Sequence, residues 1–193
     1  MAPDSSAADQ ALAIAAQGGA REAFGHLASR HYRAVHACLL TLLDNRSDAE
    51  DLTQETFLRA FRKIRSYNPR QPFRPWIFSI ARRVAIAHWR RRRSTDPLDD
   101  SVAHPPAAAP PSGHDAVVLW SLARRHLKPD EFTALWLHYR EDLPVADIAR
   151  ALRKTRNHTK VILHRARTRL RSHLEPEAWR PAGLPPPLTS PTP

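Results

Sequence analysis

The sequence predicts an all-α fold of two small helical domains joined by a flexible linker, and three observations carry that expectation. Apolar residues recur at helical spacing through residues 9–93 and again through 115–174. Between them, residues 94–114 are rich in Pro, Ala and Ser and lack any apolar periodicity, the composition of a linker. The stretch Ser47 to Ile64, SDAEDLTQETFLRAFRKI, carries a helix-start signal and two contrasting faces. Residues 1–8 and the tail 175–193, which holds seven prolines, are expected to be disordered.

From the N-terminus, residues 9–43 read as helices broken near Gly18-Gly19, with Ala11, Leu12, Ala15 and then Phe24, Leu27, Tyr32, Val35, Leu39 and Leu42 as core-forming positions. In the next helix, Ser47 and Glu50 have the spacing of a capping box, and Asp48, Glu50 and Asp51 place acid at the positive end of the dipole. Winding at about 100° per residue puts Ala49, Phe57, Ala60, Phe61 and Ile64 on one arc, with Asp48, Asp51, Glu55, Arg59 and Arg62 opposite. Leu52 falls among the charges. It is either an isolated surface leucine or the apolar anchor of a docking face with a charged rim.

Pro69 ends that helix, and Pro75 suits the first turn of the next. There Phe73, Trp76, Ile77, Ile80, Ala81 and Val84 share a core-facing arc. From Arg62 to Arg93 there are eleven basic residues and no acid. A merely solvated face would mix signs, so this run favours a surface that tracks phosphates. Phe78 and Trp89 lie beside Arg82 on the side away from the main core; stacking of unpaired bases and packing on the first helices explain them equally well. The second half begins with Leu119, Leu122 and Leu127, continues through Phe132, Leu135, Trp136 and Tyr139, and ends on a helix whose inner positions are Thr159, Leu163, Ala166 and Leu170. Asn157, Val161, Arg165 and Thr168 point the other way.

The bulk properties narrow the function. A formal charge of +11 and a pI near 11.0 point to a polyanionic partner, nucleic acid first. No apolar run approaches the roughly 20 residues that span a bilayer, and the N-terminus lacks the basic region of a signal peptide, so a cytoplasmic protein without membrane contact is expected. Cys38 stands alone, and His26, His31 and His36 are five apart rather than stacked, so neither a disulfide nor a metal site is expected, nor any cofactor. No paired nucleophile and base, Gly-rich phosphate loop or carboxylate cluster marks an enzyme.

DAEDLTQETFLRAF resembles the polymerase-binding segment of the extracytoplasmic-function group of bacterial sigma-70 factors. The resemblance runs from about residue 9 to Arg93, where FRxWxxxIAR is present as Phe73, Arg74, Trp76, Ile80, Ala81 and Arg82. It resumes from Asp115 to Leu174, where LPVADIA and HRARTRL are similar to a helix-turn-helix. It implies a sigma region 2 bundle at 9–93 and a region 4 helix-turn-helix at 115–174. It also implies contact of Asp48, Asp51, Leu52, Gln54 and Glu55 with the clamp coiled coil of the largest subunit of core RNA polymerase. Promoter DNA is the second implied partner. The melted minus-ten strand would meet Arg74, Trp76, Arg82, Arg83, Arg90 and Arg91. The minus-thirty-five duplex would meet Arg156, Asn157, His158, Lys160, Val161 and Arg165.

Val161 reads either as an isolated surface valine or as a contact to a thymine methyl. The resemblance leaves room for an anti-sigma factor as a further partner, and for the acidic linker residues Asp96, Asp99 and Asp100 either to aid solubility or to imitate RNA in the polymerase channel.

Two departures from the family stand out. Where it has Asn and, four residues on, Asp, this chain has Arg83 and Ala87, which implies weaker discrimination at the melted base and stronger general affinity. Where it has Gly-Ile-Ser in the turn, this chain has Arg153, Lys154 and Thr155. Forcing Arg153 left-handed costs on the order of 1 kcal/mol, so the turn is either rearranged or its lobe marginally stable, while Thr155 can still cap the recognition helix. Two rivals to a promoter-directing initiation factor remain open at this point: a stand-alone helix-turn-helix regulator, and a sigma-like interaction protein that does not itself initiate transcription.

Overall fold

The computed structural model describes residues 5–95 and 114–173, and the described residues form eight α-helices with no strand. The expected N-terminal segment, the linker and the Pro-rich tail lie outside the described residues, apart from their few flanking positions.

Helices α1 (Ser5–Gln17), α2 (Arg21–Leu43), α3 (Arg46–Lys63) and α4 (Phe73–Thr95) form the first lobe. Gly19 turns the chain between α1 and α2 at φ 102°, a conformation that L side chains rarely adopt. Two polar contacts tie α1 down. Asp9 accepts from Arg30 and pairs with the buried His31, both at 2.7 Å. Gln17 Nε2 donates to the carbonyls of Ile64 and Tyr67 at 2.8 and 2.6 Å, joining α1 to the 3₁₀ turn Ile64–Ser66. Burial works to raise the Asp9 carboxyl, but the bonds from His31 and Arg30 outweigh it and hold the pKa below the usual value.

α3 differs from expectation in two ways. Its cap is Asn45, whose side chain accepts from the Asp48 amide at 3.0 Å, so the helix starts at Arg46, and Glu50 pairs with Arg46 instead of closing a box on Ser47. Leu52 is buried, at 5% exposure, together with Ala49, Thr53, Thr56, Phe57 and Ala60. The physical reason is that α3 is wedged between α2 and α4, and a helix with two neighbours buries more of its circumference than one with a single neighbour. Relative to expectation the buried arc is rotated by about 50°, one half of a residue step, toward Leu52. Phe61 is correspondingly displaced to the rim, where its ring meets Phe24 edge-on at 5.1 Å.

α4 is likewise buried on two sides. Phe73, Ile77, Ile80, Ala81 and Val84 enter the first-lobe core, and Phe78, expected on the outer side, is also inside at 1% exposure. Helices α5 (His114–His126), α6 (Pro129–Tyr139), α7 (Val145–Leu152) and α8 (Arg156–His173) form the second lobe around Phe132, Leu137, Ile148, Leu152 and Leu163. Glu131 accepts from the Lys128 amide at 2.9 Å and from Arg169 at 2.6 Å, so one buried carboxylate both caps α6 and fastens α8 to it. The lobes are in contact: α6 and α7 pack on α4, and α5 packs on α2.

Candidate polymerase and nucleic-acid interfaces

On α3 the exposed arc is centred opposite Ala49, Thr53 and Ala60. Asp51, Gln54, Leu58 and Arg62 are exposed along it, and Glu55, half-buried, lies beside them and pairs with Arg59 and Arg91. Winding at about 100° per residue places Leu58 at the middle of this arc, and it is 56% exposed. Asp48 is turned toward α4, 3.4 Å from His88. Of the five residues expected to meet polymerase, Asp51, Gln54 and Glu55 therefore share an open face, Asp48 stands at its edge, and Leu52 is inside the fold. The apolar member of the face is Leu58, which the sequence reading passed over; the winding that groups Asp51, Gln54, Glu55 and Arg62 contains it.

The basic residues of α4 divide along its length. Arg90 and Arg91 are exposed near its C-terminal end. Trp76 is half-buried in an aromatic cluster, 4.8 Å from Tyr67 and 5.3 Å from Phe73 between ring centroids, and burial together with nearby Asp9 pushes the Tyr67 hydroxyl up to about 12. Arg83 donates to the Ser79 carbonyl at 2.9 Å. Burial lowers its pKa, and Arg153 of the second lobe, followed by Arg82 and Arg59, adds to the shift. Arg82 is held by Asp130, its Nε 2.8 Å from Oδ1, and Arg74 Nε lies 3.4 Å from Glu141 Oε2. Both acids come from the second lobe.

In the turn, Arg153 adopts the left-handed conformation, φ 56° and ψ 46°, and the Lys154 amide bonds the Ala149 carbonyl at 2.9 Å. The glycine-type turn is thus kept and an arginine is forced into it. The Thr155 hydroxyl accepts from the His158 amide at 3.2 Å and caps α8. Thr159, Leu163, Ala166 and Leu170 face inward, joined by Ile162. Arg156, Asn157, His158, Lys160, Val161 and Arg165 are all exposed, Val161 at 43%. One helix thereby presents amide, imidazole, cationic and apolar groups on a continuous outer face, the inventory needed to meet base edges and phosphates in a major groove.

Comparison with known proteins agrees with this arrangement. Residues 27–95 match the sigma-70 region 2 family and residues 122–170 the sigma-70 region 4 family. The ECF RNA polymerase sigma factor SigM of Bacillus subtilis is 30% identical over 142 residues, 72% of this chain and 86% of SigM. The chain belongs to the ECF group of the sigma-70 family. As a sigma factor it is a transcription initiation factor and not an enzyme, and its partners are core RNA polymerase and promoter DNA. The ECF sigma factor BldN of Streptomyces coelicolor is 30% identical over 159 residues, 78% of this chain and 60% of BldN's own length. Among solved structures, the sigma factor RpoE in complex with the anti-sigma factor NepR from Bartonella quintana shares the fold with a TM-score of 0.66 at 24% identity, over 80% of this chain and 98% of RpoE. In this sigma factor the region 2 match takes in most of α2, all of α3 and α4, and leaves α1 outside; the region 4 match takes in the end of α5 and nearly all of α6 to α8. Among the described residues no helix is long and apolar enough to cross a membrane.

Proposed function

We propose that this sigma factor docks on the clamp coiled coil of the largest polymerase subunit through the open face of α3, with Asp51, Gln54 and Glu55 ringing Leu58. Region 2, at 9–93, takes the melted minus-ten strand on α4 through Arg74, Trp76, Arg82, Arg83, Arg90 and Arg91. Region 4, at 115–174, lays α8 in the minus-thirty-five major groove, with Asn157 and Val161 at base edges and Arg156, His158, Lys160 and Arg165 on phosphates. Its place of action is the cytoplasm. An anti-sigma factor, the kind of protein that RpoE is bound to in its structure, is the further partner we assign to it.

The observation that carries the docking reading is an exposed leucine centred among polar and acidic side chains on a helix whose opposite side is fully packed. Substituting Leu58→Arg should abolish capture of core polymerase and abortive transcription from purified core, with helicity and melting unchanged, since exposed substitutions typically stay within about 0.5 kcal/mol. Leu52→Ala should instead cost about 2–5 kcal/mol of stability, as removal of a buried leucine does. Retained core binding by Leu58→Arg would remove this face as the docking site.

A further inference from the structure

The stripe of α4 formed by Arg74, Phe78 and Arg82 steps one helical turn at a time, so the three side chains share a face. That face is covered. Asp130, in the first turn of α6, holds Arg82, and Glu141, between α6 and α7, reaches Arg74. Phe78 between them is shut away from solvent, Arg82 is 16% exposed, and the Glu141 side chain is only 8% exposed. The basic run that contains this stripe has no acid of its own, so every carboxylate on it is borrowed from another element. A carboxylate on a guanidinium makes the same charge-assisted hydrogen bonds that a phosphate oxygen makes. Second-lobe acids and a DNA strand therefore compete for the same two cations, and the aromatic ring between them is open to a base only when the second lobe is away.

The contact is also built to be reversible. Arg153 of the second lobe faces Arg83 of α4, two like charges brought together by the same closure that pairs Arg82 and Arg74 with acids. A third pair, Arg124 with Asp44, fastens α5 against the end of α2 at a distance from the stripe.

We propose that region 4 is an intramolecular mask for the minus-ten face of region 2: in the free factor Asp130 and Glu141 stand in for DNA phosphates on Arg82 and Arg74 and bury Phe78, and the strand-binding stripe is released only when the lobes part. The proposal rests on the reading of α4 as the strand-binding helix. It gives the free factor a low affinity for single-stranded DNA, because the apparent affinity scales with the fraction of molecules that are open.

The test uses the full chain, without polymerase, and a fluorescent oligothymidine as probe. The pair Asp130→Asn with Glu141→Gln should tighten binding by about three- to tenfold, the range for losing two partly exposed ion pairs, and should raise the radius of gyration in small-angle scattering. The charge-matched pair Glu22→Gln with Glu50→Gln, both away from the stripe, supplies the control for net charge. Asp44→Asn, which loosens only the α5 clasp, should give a smaller shift in the same direction and keeps the test decisive if the first pair impairs folding. An affinity gain no larger than the control's, or an unchanged radius at unchanged affinity, overturns the mask. Adding Arg82→Gln to the opened variant separates the two ideas. Weakened binding upholds α4 as the strand site whatever the mask's fate, whereas unchanged binding removes that reading and the mask with it.

Discussion

The turn between α7 and α8 offers a substitution whose outcome follows from backbone geometry. Arg153 sits at φ 56°, ψ 46°, a region that costs a residue with a Cβ about 1–2 kcal/mol. Glycine removes that strain but brings greater freedom to the unfolded chain, worth about 0.4–1 kcal/mol against folding. Arg153→Gly should therefore stabilise by about 0.5–1 kcal/mol net, a rise of about 1–4 °C in melting temperature for a chain of this size. A second contribution comes from charge. Arg153 adds to the electrostatic load on Arg83, and removing it relieves a repulsion between partly solvated groups that is worth a few tenths of a kcal/mol and is screened by salt.

Arg153→Ala isolates the second contribution, since alanine keeps the strain and loses the charge. Thermal melts followed by circular dichroism at about 0.05 and 1 M salt should show Arg153→Ala slightly above the parent at low salt and level with it at high salt. Arg153→Gly should exceed both at either salt. If the glycine variant melts below the parent, the left-handed turn is wrong. If its advantage disappears in salt, the gain was electrostatic and the strain argument fails.

Two further outcomes follow from the described contacts. The Asp9 pKa is held below its ordinary value in the folded state, so its stabilisation is present above the unfolded carboxylate range and is lost as pH falls through the folded pKa. Asp9→Asn should cost of order 2–3 kcal/mol in urea unfolding at pH 7, and the gap to the parent should close toward pH 2; a gap that persists there would mean that packing of α1, not the charge, is responsible. On α8, Val161→Ser should relax discrimination at one thymine-containing position of the minus-thirty-five element by no more than about 1–3 kcal/mol, while Arg165→Ala weakens all sequences alike in a binding selection; uniform or absent loss from Val161→Ser would leave the valine without a reading role.

The elements legible in the sequence are those whose surroundings are simple. α8 packs on one side only, so a single 100° winding picked its inner seam of Thr159, Leu163, Ala166 and Leu170, and Thr155 caps it because nothing nearby competes. α3 was legible as a helix but not in its phase. Its burial depends on α4, which follows in the chain, and a pattern read from α3 alone cannot register a second neighbour. Its start was ambiguous for a local reason: Asn45 and Ser47 are capping residues of similar strength two positions apart, and the choice falls to how α2 ends, with Asp44 left-handed at φ 55°. On the candidate site, the exposed cations Arg90 and Arg91 and the outer face of α8 carry their own signal in composition. Asp130 and Glu141 carry none, because the pairing of Arg82 with a carboxylate 48 residues away is a property of the tertiary fold.

Phe78 brings these lines together. At the level of sequence it has two readings, an aromatic among arginines that stacks on unpaired bases and a core residue. Its near-complete burial favours the second as long as the lobes are treated as one body. Yet the partners of its neighbours on the stripe, Glu141 and Asp130, belong to the second lobe, so the cover over Phe78 is of the same origin and is removable, unlike the cover over Ile77 or Val84 within the first lobe. The two readings then describe one residue in two states. Buried, Phe78 contributes apolar area that holds the lobes together; uncovered, it offers a ring between two cations, the arrangement that binds single strands with little sequence preference. Apolar burial at this stripe is thus also the quantity that sets how tightly region 4 is held, and strand binding and lobe opening are coupled through a single side chain.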